Sequence, residues 1–370
     1  MKWVFKVLLA LSVSVSTNLI AEEKAAPSNY PYQADVFIEG INVPWGLAQL
    51  PDGRFLVSER AGQLFLVSSD GKTRQEVSGL PAIESNGQGG LLDIELAPDY
   101  AKSGWIYLSL SSPQGDGAGN NTAIIRGQLK EQQLSNVEVI YKGSPNTDSR
   151  YHYGSRIEFD KNGDLFFSIG DRGARDQNPQ DIQRDGGKIY RVKPDGAIPS
   201  DNPFVKEGKP AIYSYGHRNP QGMALNPVTG NIWVHEHGPR GGDEINVIKA
   251  GANYGWPVVS YGINYNGTKF TELTEKEGMT QPAWYWVPSI APSGMVFVTS
   301  DRYPEFKGKV LVGSLKFGYL VLLTVDGDKV IEQEIVFEGI GRTRNVRQLS
   351  DGYLYVSVDG VGVKRLVPKK

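Results

Sequence analysis

The sequence contains no cysteine, and only four histidines and four methionines among its 370 residues. Without cysteine the chain forms no disulfide bond, and it has no thiol for catalysis or metal binding. It also lacks a run of basic residues, which argues against nucleic acid as a partner. Beyond the first residues, no apolar stretch is long enough to cross a membrane as a helix.

The N-terminal residues have the order of a secretory signal peptide. Residues 1–6 carry two lysines, residues 7–15 are small or apolar, and Ala21 precedes two glutamates. The apolar run is too short to span a bilayer, although an uncleaved anchor is the alternative. We expect residues 1–21 to be a signal peptide and residues 22–370 to form one domain. The mature protein is then periplasmic or secreted and has no transmembrane segment.

Six segments share one pattern, in which turn residues precede four to six aromatic and β-branched residues. They are residues 51–58, 98–110, 160–169, 226–235, 303–313 and 350–357. Such short apolar runs are typical of strands that are covered on both faces. Further apolar runs follow four of them after a turn, at residues 62–67, 187–192, 318–323 and 362–367. We therefore expect each unit to contain a β-hairpin.

The repeats indicate an all-β fold, a six-bladed β-propeller with functional loops over one face of the central channel. Repeats of about 40–50 residues with several short strands each are typical of this architecture. The ring must close to avoid open edges, so residues 33–39 are predicted to join the blade that ends with residues 362–367. Longer intervals, at 111–150, 171–186 and 258–295, are predicted to be loops.

Three polar stretches lie close together, at residues 215–224, 234–246 and 253–257, and they hold three of the four histidines. Residues 231–235 between them are predicted to form a short buried strand. Polar clusters at both ends of a short strand indicate loops that present chemistry on a rigid sheet. Tight turns without a function are the alternative.

His152 is the fourth histidine and lies in a polar, glycine-containing turn. A histidine there titrates near neutral pH and can act as a general base, or it can bond a loop carbonyl as a structural residue. In the stretch of residues 215–224, the guanidinium of Arg218 offers a cationic fork suited to a carboxylate or an oxyanion. The favoured interpretation of the adjacent His217 is a cap of the turn.

His235 and His237 alternate on a strand end and so share one face, as zinc ligands do. A catalytic zinc site needs a third protein ligand, and no residue has an obvious spacing for it. Oxygen donors in the same stretch instead suit a hard cation such as calcium. These donors are the carbonyls of Gly238 and Pro239 and the carboxylates of Asp243 and Glu244.

Three basic residues of the later loops, Lys316, Arg342 and Arg344, lie close to repeat strands. In a propeller, equivalent strand ends converge on the channel, so these cations and Arg218 are predicted to meet there. Four cations at one place favour an anionic ligand such as a polycarboxylate. Solvated surface charges are the alternative.

Residues 40–367 resemble the soluble aldose sugar dehydrogenases that depend on pyrroloquinoline quinone (PQQ), relatives of soluble quinoprotein glucose dehydrogenase. Many motifs match in the same order, at residues 44–46, 87–92, 152–157, 169–171, 216–222, 237–246, 253–257, 315–316 and 342–344. The resemblance implies a six-bladed propeller. It also implies oxidation of an aldose at C1 to the lactone, with hydride passing to quinone C5 and electrons to an external acceptor.

The resemblance implies roles for individual residues. It implies that His152 is the general base and that Arg218 lies beside the quinone C5 oxygen. The carbonyls of Gly238 and Pro239 are implied ligands of the Ca²⁺ that also holds the cofactor, while Glu244 and Tyr254 resemble a second, structural calcium site. Further contacts to the cofactor are implied for Gln88, Asn219, Lys316, Arg342 and Arg344, with Asp243 near the same site.

The sequence departs from the glucose dehydrogenase pattern at Tyr151, where that branch has an acidic residue, and at His237, where it has glutamine. These departures favour the shorter branch with broader sugar specificity. Two other functions remain as alternatives. A calcium-dependent lactonase-type hydrolase needs carboxylates around a central metal and has no use for Lys316, Arg342 and Arg344. A non-catalytic binding module would need neither His152 nor Arg218.

Overall fold

The computed structural model describes residues 30–369, so the predicted signal peptide lies outside the described residues. No helix within this range has the length and apolar character needed to cross a membrane. The described residues include one short helix, α1 (Tyr100–Ser103). The strands, in chain order, are β1 (Tyr32–Glu39), β2 (Pro44–Gln49), β3 (Phe55–Glu59), β4 (Gln63–Val67), β5 (Arg74–Glu76), β6 (Leu91–Leu96), β7 (Trp105–Ser112), β8 (Asn121–Lys130), β9 (Gln133–Lys142), β10 (Ile157–Phe159), β11 (Leu165–Ile169), β12 (Lys188–Val192), β13 (Ile212–Tyr215), β14 (Pro220–Leu225), β15 (Ile232–Glu236), β16 (Asp243–Val247), β17 (Trp284–Trp286), β18 (Pro292–Phe297), β19 (Val310–Ser314), β20 (Leu320–Asp326), β21 (Lys329–Val336), β22 (Thr343–Gln348), β23 (Leu354–Val358) and β24 (Gly362–Pro368).

The strands form six antiparallel sheets of four strands each, which confirms the predicted six-bladed β-propeller. Five blades use consecutive strands and begin with β2, β6, β10, β14 and β18. The sixth has the order β1-β24-β23-β22, with Tyr32 opposite Pro368 and Glu39 opposite Gly362. The predicted closure of the ring by the N-terminal strand is therefore confirmed.

The repeated apolar segments are the second strands of the six blades. Every residue of β3, β11, β15, β19 and β23 is buried. Each blade packs between two neighbours, so its second strand is covered on both faces. The predicted hairpins are confirmed as well, because β4, β12, β20 and β24 each pair with the second strand of their blade.

Two of the three predicted loops are wrong in part. Residues 111–150 consist largely of β8 and β9, the outer strands of the second blade, and residues 258–295 include β17 and the start of β18. The outermost strand β9 faces solvent and carries polar residues, with five of its ten residues exposed and two buried. A search for apolar runs therefore overlooks such a strand. Residues 171–186 form a loop, as predicted.

The innermost strands β2, β6, β14, β18 and β22 share an irregularity near their first residues. The register with the second strand shifts between Pro44 and Leu47, Leu91 and Ile94, Pro220 and Gly222, Ser293 and Met295, and Thr343 and Asn345. A bulge of this kind breaks the alternation of side chains and re-aims the unpaired residue. All five bulges lie at the end of the channel where the candidate site residues gather.

Candidate active site

The candidate site residues lie at one face of the propeller, and the direction of the strands explains why. Innermost strands begin at this face, and the antiparallel second strands end there. His152 precedes β10, Arg218 and Asn219 precede β14, and Arg344 lies at the start of β22. Residues far apart in sequence therefore surround the same channel mouth.

Two adjoining spaces open at this mouth. A cleft of about 670 Å³ is lined by His152, Asp171, Arg218 and Trp256, among others. A smaller space of about 190 Å³, here called the inner cavity, lies next to it. Gln88 lines both spaces, so the cleft and the inner cavity adjoin at this side chain.

His152 is held in a strained backbone conformation at the edge of the cleft. Its φ is +59°, in the left-handed region that non-glycine residues seldom adopt. The His152 N–H donates to Gln88 Oε1 at 2.8 Å. A Cβ atom at Gly170 would lie 2.4 Å from the His152 carbonyl oxygen, so only glycine fits there. Strain that is fixed by neighbours in this way is typical of functional positions.

The ring of His152 is oriented by a buried carboxylate. His152 Nδ1 lies 2.7 Å from Asp171 Oδ1. Asp171 also accepts bonds from Trp256 Nε1 at 3.0 Å and from the Gly173 N–H at 2.8 Å. Burial alone would raise the pKa of Asp171, but the bond to His152 and the nearby cations hold it below its ordinary value. Asp171 is therefore an anion that fixes Nδ1 and leaves Nε2 available.

Burial lowers the pKa of His152 below its ordinary value. The bond to Asp171 opposes this shift in part, and the charge of Arg218 adds to it. The imidazole is therefore neutral at neutral pH, the form in which it accepts a proton.

Arg218 is fixed beside the cleft by backbone oxygens. Its Nη1 donates to the carbonyls of His237 at 3.0 Å and Gly238 at 2.9 Å. The loop that carries these carbonyls is shaped by Asp243, which accepts the Gly238 N–H at 2.9 Å. Asp243 Oδ2 accepts three further bonds, from Ser289 Oγ and from the N–H groups of residues 290 and 291. Asp243 is thus buried and fixes this loop, and both of its carboxylate oxygens already accept hydrogen bonds from the protein.

The inner cavity carries three guanidinium groups, those of Arg60, Arg342 and Arg344. Of the four cations predicted to meet, Arg342 and Arg344 come together here, because both bond to Asp359, whereas Arg218 lines the cleft instead. Burial lowers the pKa of Arg60, and the charge of Arg344 lowers it further. Three cations against one carboxylate favour an anionic ligand in this space.

The remaining walls of the inner cavity combine polar edges with aromatic faces. Trp45, Leu92, Gln221 and Arg344 lie in the bulges of four innermost strands, so these irregularities supply part of the lining. Asn219, His237 and Tyr153 line it as well. Lys316 does not: this residue is exposed, and its ammonium lies 4.6 Å from the ring centroid of Phe317.

The rings of the remaining histidines bond to neighbouring protein groups. His217 is buried, with Nδ1 2.7 Å from Glu236 Oε1 and Nε2 2.9 Å from Ser214 Oγ. The Nε2 atoms of His235 and His237 lie 3.3 Å and 2.7 Å from carbonyl oxygens of the neighbouring blade. No group of three histidine, aspartate or glutamate side chains placed to hold a metal ion occurs within residues 30–369.

A second oxygen-rich spot lies behind Arg218. Glu236, Glu244 and Tyr254 line a space of about 10 Å³, room for roughly one water-sized sphere. Burial raises the pKa of Glu244 to about 8, and the charge of Glu236 adds to this shift. Asn246 bonds both glutamates through Nδ2, while its buried Oδ1 has no partner. The Tyr254 hydroxyl donates to the Val247 carbonyl, so a donor from Tyr254 would be its backbone oxygen.

The sequence analysis does not assign Arg60, Asp171 or Asp359, which the structure places in the site. A positional signal connects them: Arg60 directly follows β3, Asp359 directly follows β23, and Asp171 follows β11 by two positions. Because second strands end at the channel mouth, polar residues just after each repeated apolar segment are candidates for the site.

Comparison with known proteins gives concordant results. The family model described as glucose/sorbosone dehydrogenase matches residues 41–366. The aldose sugar dehydrogenase YliI of Escherichia coli (strain K12) is 41% identical over 343 residues, covering 90% of this chain and 91% of that protein. The apo-form crystal structure of soluble aldose sugar dehydrogenase from Escherichia coli superposes with a TM-score of 0.87 at 40% identity, covering 91% of this chain and 99% of that one. A PQQ-bound aldose sugar dehydrogenase from Streptomyces coelicolor gives a TM-score of 0.75 at 29% identity, covering 92% and 99%.

Proposed function

Because the chain belongs to the glucose/sorbosone dehydrogenase family, we propose that it oxidises aldose sugars at C1 to the lactone with PQQ as cofactor. The electrons then pass to an external acceptor. The observation that carries the proposal is the placement of a neutral, carboxylate-oriented histidine in an open cleft beside a cavity with three arginines. The predicted signal peptide supports a periplasmic or secreted location.

The inner cavity fits PQQ in charge. PQQ is a planar tricarboxylate, and Arg60, Arg342 and Arg344 supply more positive charge than Asp359 offsets. The side chains of Trp45 and Tyr153 add aromatic groups to the lining. When bound, PQQ supplies the electrophilic carbonyl that accepts hydride from the sugar.

Gln88 and Asn219 supply polar edges to the inner cavity, in line with the predicted cofactor contacts. Gln88 also holds the backbone of His152, so one side chain joins the cofactor space to the base. Lys316 does not line the inner cavity, and its side chain would have to move off Phe317 to contact the cofactor.

His152 is the proposed general base for the C1 hydroxyl. Asp171 fixes Nδ1, so Nε2 takes the proton from a sugar lying in the cleft. The anionic Asp171 then stabilises the protonated ring. Arg218 presents a fixed cation to the same cleft, where it stabilises negative charge that develops during the reaction.

Two calcium positions fit the oxygen donors. The carbonyls of Gly238 and Pro239 are proposed ligands of a cation that would also hold the cofactor. At present Gly238 accepts a bond from Arg218, so binding there requires the guanidinium to share or release that oxygen. Glu244 and the backbone of Tyr254 are the proposed second position. The raised pKa of Glu244 fits an added cation there, which would stabilise the ionised carboxylate.

Reconstitution tests the proposal. Purified protein is mixed with PQQ, with and without calcium, and dye reduction is followed for a panel of aldoses. We expect activity to require both additions and to fall by about 10² to 10⁴ in His152→Ala, the usual cost of losing a general base. Full activity in a calcium-free, chelated sample would contradict the calcium role. Absence of turnover with every aldose, although PQQ binds, would contradict the dehydrogenase function.

A further inference from the structure

A second large cavity adjoins the cleft. This space, here called the side cavity, has a volume of about 590 Å³. Tyr151, Gly173, Ala174 and Gln177 line both the cleft and the side cavity, so the two are continuous across this rim. A molecule larger than one sugar ring can therefore extend from His152 into the side cavity.

The side cavity contains a buried cation that lacks an anionic partner. Arg172 is 2% exposed, and its Nη atoms donate to the carbonyl oxygens of Tyr151 at 2.5 Å and Ser149 at 2.7 Å and to Asn120 Oδ1 at 3.3 Å. Its buried Nε has no hydrogen-bond partner. Its side-chain hydrogen bonds therefore all go to neutral oxygens, and its guanidinium carbon lies 3.6 Å from the ring centroid of Tyr153. An added anion would stabilise this cation.

A second guanidinium in the side cavity is also bonded to neutral groups. Arg184 Nε donates to Asn178 Oδ1 at 2.9 Å, and its Nη2 donates to Gln177 Oε1 at 3.4 Å. Lys209 is different, because it pairs with Asp185 at 2.8 Å. Asp185 is the one carboxylate among the residues that line this space. Arg172 and Arg184 together thus leave the side cavity with an excess of positive charge.

The remaining lining suits a carbohydrate. Hydroxyl and amide side chains, which bond sugar hydroxyls, come from Asn121, Ser144, Thr147, Ser149 and Gln183. Tyr151, 47% exposed, lies on the shared rim with its ring centroid 4.8 Å from that of His152. An aromatic face at this place can pack against a sugar ring that passes from the cleft to the side cavity.

We propose that the side cavity binds an acidic second ring of a reducing disaccharide, such as a uronic acid residue, while the reducing-end ring lies in the cleft. The proposal rests on the dehydrogenase function and names a substrate class for the same site. The carboxylate of the distal ring pairs with Arg184 and Arg172, and Tyr151 supports the linkage. The bond changes at C1 remain those of aldose oxidation.

The test compares two matched disaccharides on the reconstituted enzyme. One is a β-1,4-linked glucose disaccharide; the other differs only in having the distal C6 hydroxymethyl group replaced by a carboxylate. We expect kcat/KM to be about tenfold higher for the acidic sugar at low salt, as one charge-assisted contact provides, and the preference to shrink at high salt. Equal kcat/KM values for the two sugars would overturn the proposal.

Two variants locate the effect. Arg184→Gln should lower kcat/KM for the acidic disaccharide about tenfold more than for glucose, since glucose does not reach the side cavity. The matched control Lys102→Gln removes an exposed cation on α1 and should leave kcat/KM unchanged for glucose and for both disaccharides. A preference for the acidic sugar that survives in Arg184→Gln would overturn the assignment.

Binding separates this proposal from the dehydrogenase function. If no sugar is oxidised, the proposed function fails, yet calorimetric binding of the acidic disaccharide that weakens in Arg184→Gln still supports the side cavity. If glucose is oxidised but the acidic disaccharide neither binds nor reacts better than its neutral counterpart, the proposal of an acidic ring fails alone.

Discussion

Replacing Arg156 with methionine should lower the free energy of unfolding, because it removes contacts to four other blades. Arg156 Nε donates to the Gln221 carbonyl at 2.7 Å, Nη1 to Asp93 Oδ1 at 3.1 Å and Nη2 to the Arg344 carbonyl at 3.1 Å. The guanidinium carbon also lies 4.1 Å from the ring centroid of Trp45. These four partners belong to the innermost strands of four other blades, and three of them line the inner cavity.

The expected cost follows from the partner left behind. In Arg156→Met, the carboxylate of Asp93 stays buried at 1% exposure and keeps only a bond from the Ile157 N–H and a distant cation, Arg347, at 4.0 Å. Breaking a buried ion pair costs about 3–5 kcal/mol. Since Arg347 compensates in part, we expect a loss of about 3 kcal/mol in the free energy of unfolding. Weaker PQQ binding should accompany it, because two carbonyls at the cavity bulges lose their donor.

Urea unfolding of Arg156→Met, Asp93→Asn and the double variant provides the measurement. The free energy of unfolding should fall less in the double variant than the two single losses added together, by at least about 1 kcal/mol. The reason is that neither charge is then left buried without its partner. Arg54→Met is the matched control, since Arg54 pairs with Asp52 in an exposed ion pair and should cost less than about 1 kcal/mol. Strictly additive losses, or a loss in Arg156→Met no larger than in the control, would refute the reasoning.

Three further predictions concern single side chains. Asp171→Asn should slow cofactor reduction by about 10² to 10⁴ in rapid mixing with an aldose, since the imidazole loses the anion that orients it; a rate near wild type would exclude that role. Arg344→Ala should weaken PQQ affinity in titrations more than it lowers saturated turnover, because the contact is equal in ground and transition states; unchanged affinity would contradict this. Burial raises the pKa of Glu158 from 4.5 to about 8, so the folded protein keeps a proton that the unfolded chain releases. Stability should therefore fall as pH rises from about 4.5 to 8, less steeply in Glu158→Gln, and an equal slope in urea unfolding would disprove it.

The fold could be predicted from the sequence because the second strands of the blades are buried on both faces. Residues 232–234, for example, are all apolar, and this run can be recognised without knowing which strands lie beside it. The innermost strands are different. Residues 343–348 begin with a bulge at Arg344, and residues 220–225 with one at Gln221, so their side chains follow no simple period.

The candidate site was predictable where motifs are local and not where partners are distant. His152 and Arg218 lie in polar turns that stand out in the sequence, and both line the cleft. The Asp171 carboxylate meets His152 only because two strand ends converge, and Arg60 reaches Arg344 across the closure of the ring. Such neighbours depend on blade geometry, which spacing along the chain does not encode.

Pairing of β1 with β24 has a consequence for how the protein reaches its folded state. The first and last described strands sit side by side in one blade although almost the whole described chain separates them. The last blade therefore lacks its outer strand until the two remote segments meet, and contacts of such long sequence separation slow folding. Because β1 and β24 lie side by side, a short loop could connect them in a circular permutant. A permutant that joins the segments around Tyr32 and Pro368 and opens a surface turn in another blade would convert this closure into a local hairpin, and it should refold faster than the natural chain order.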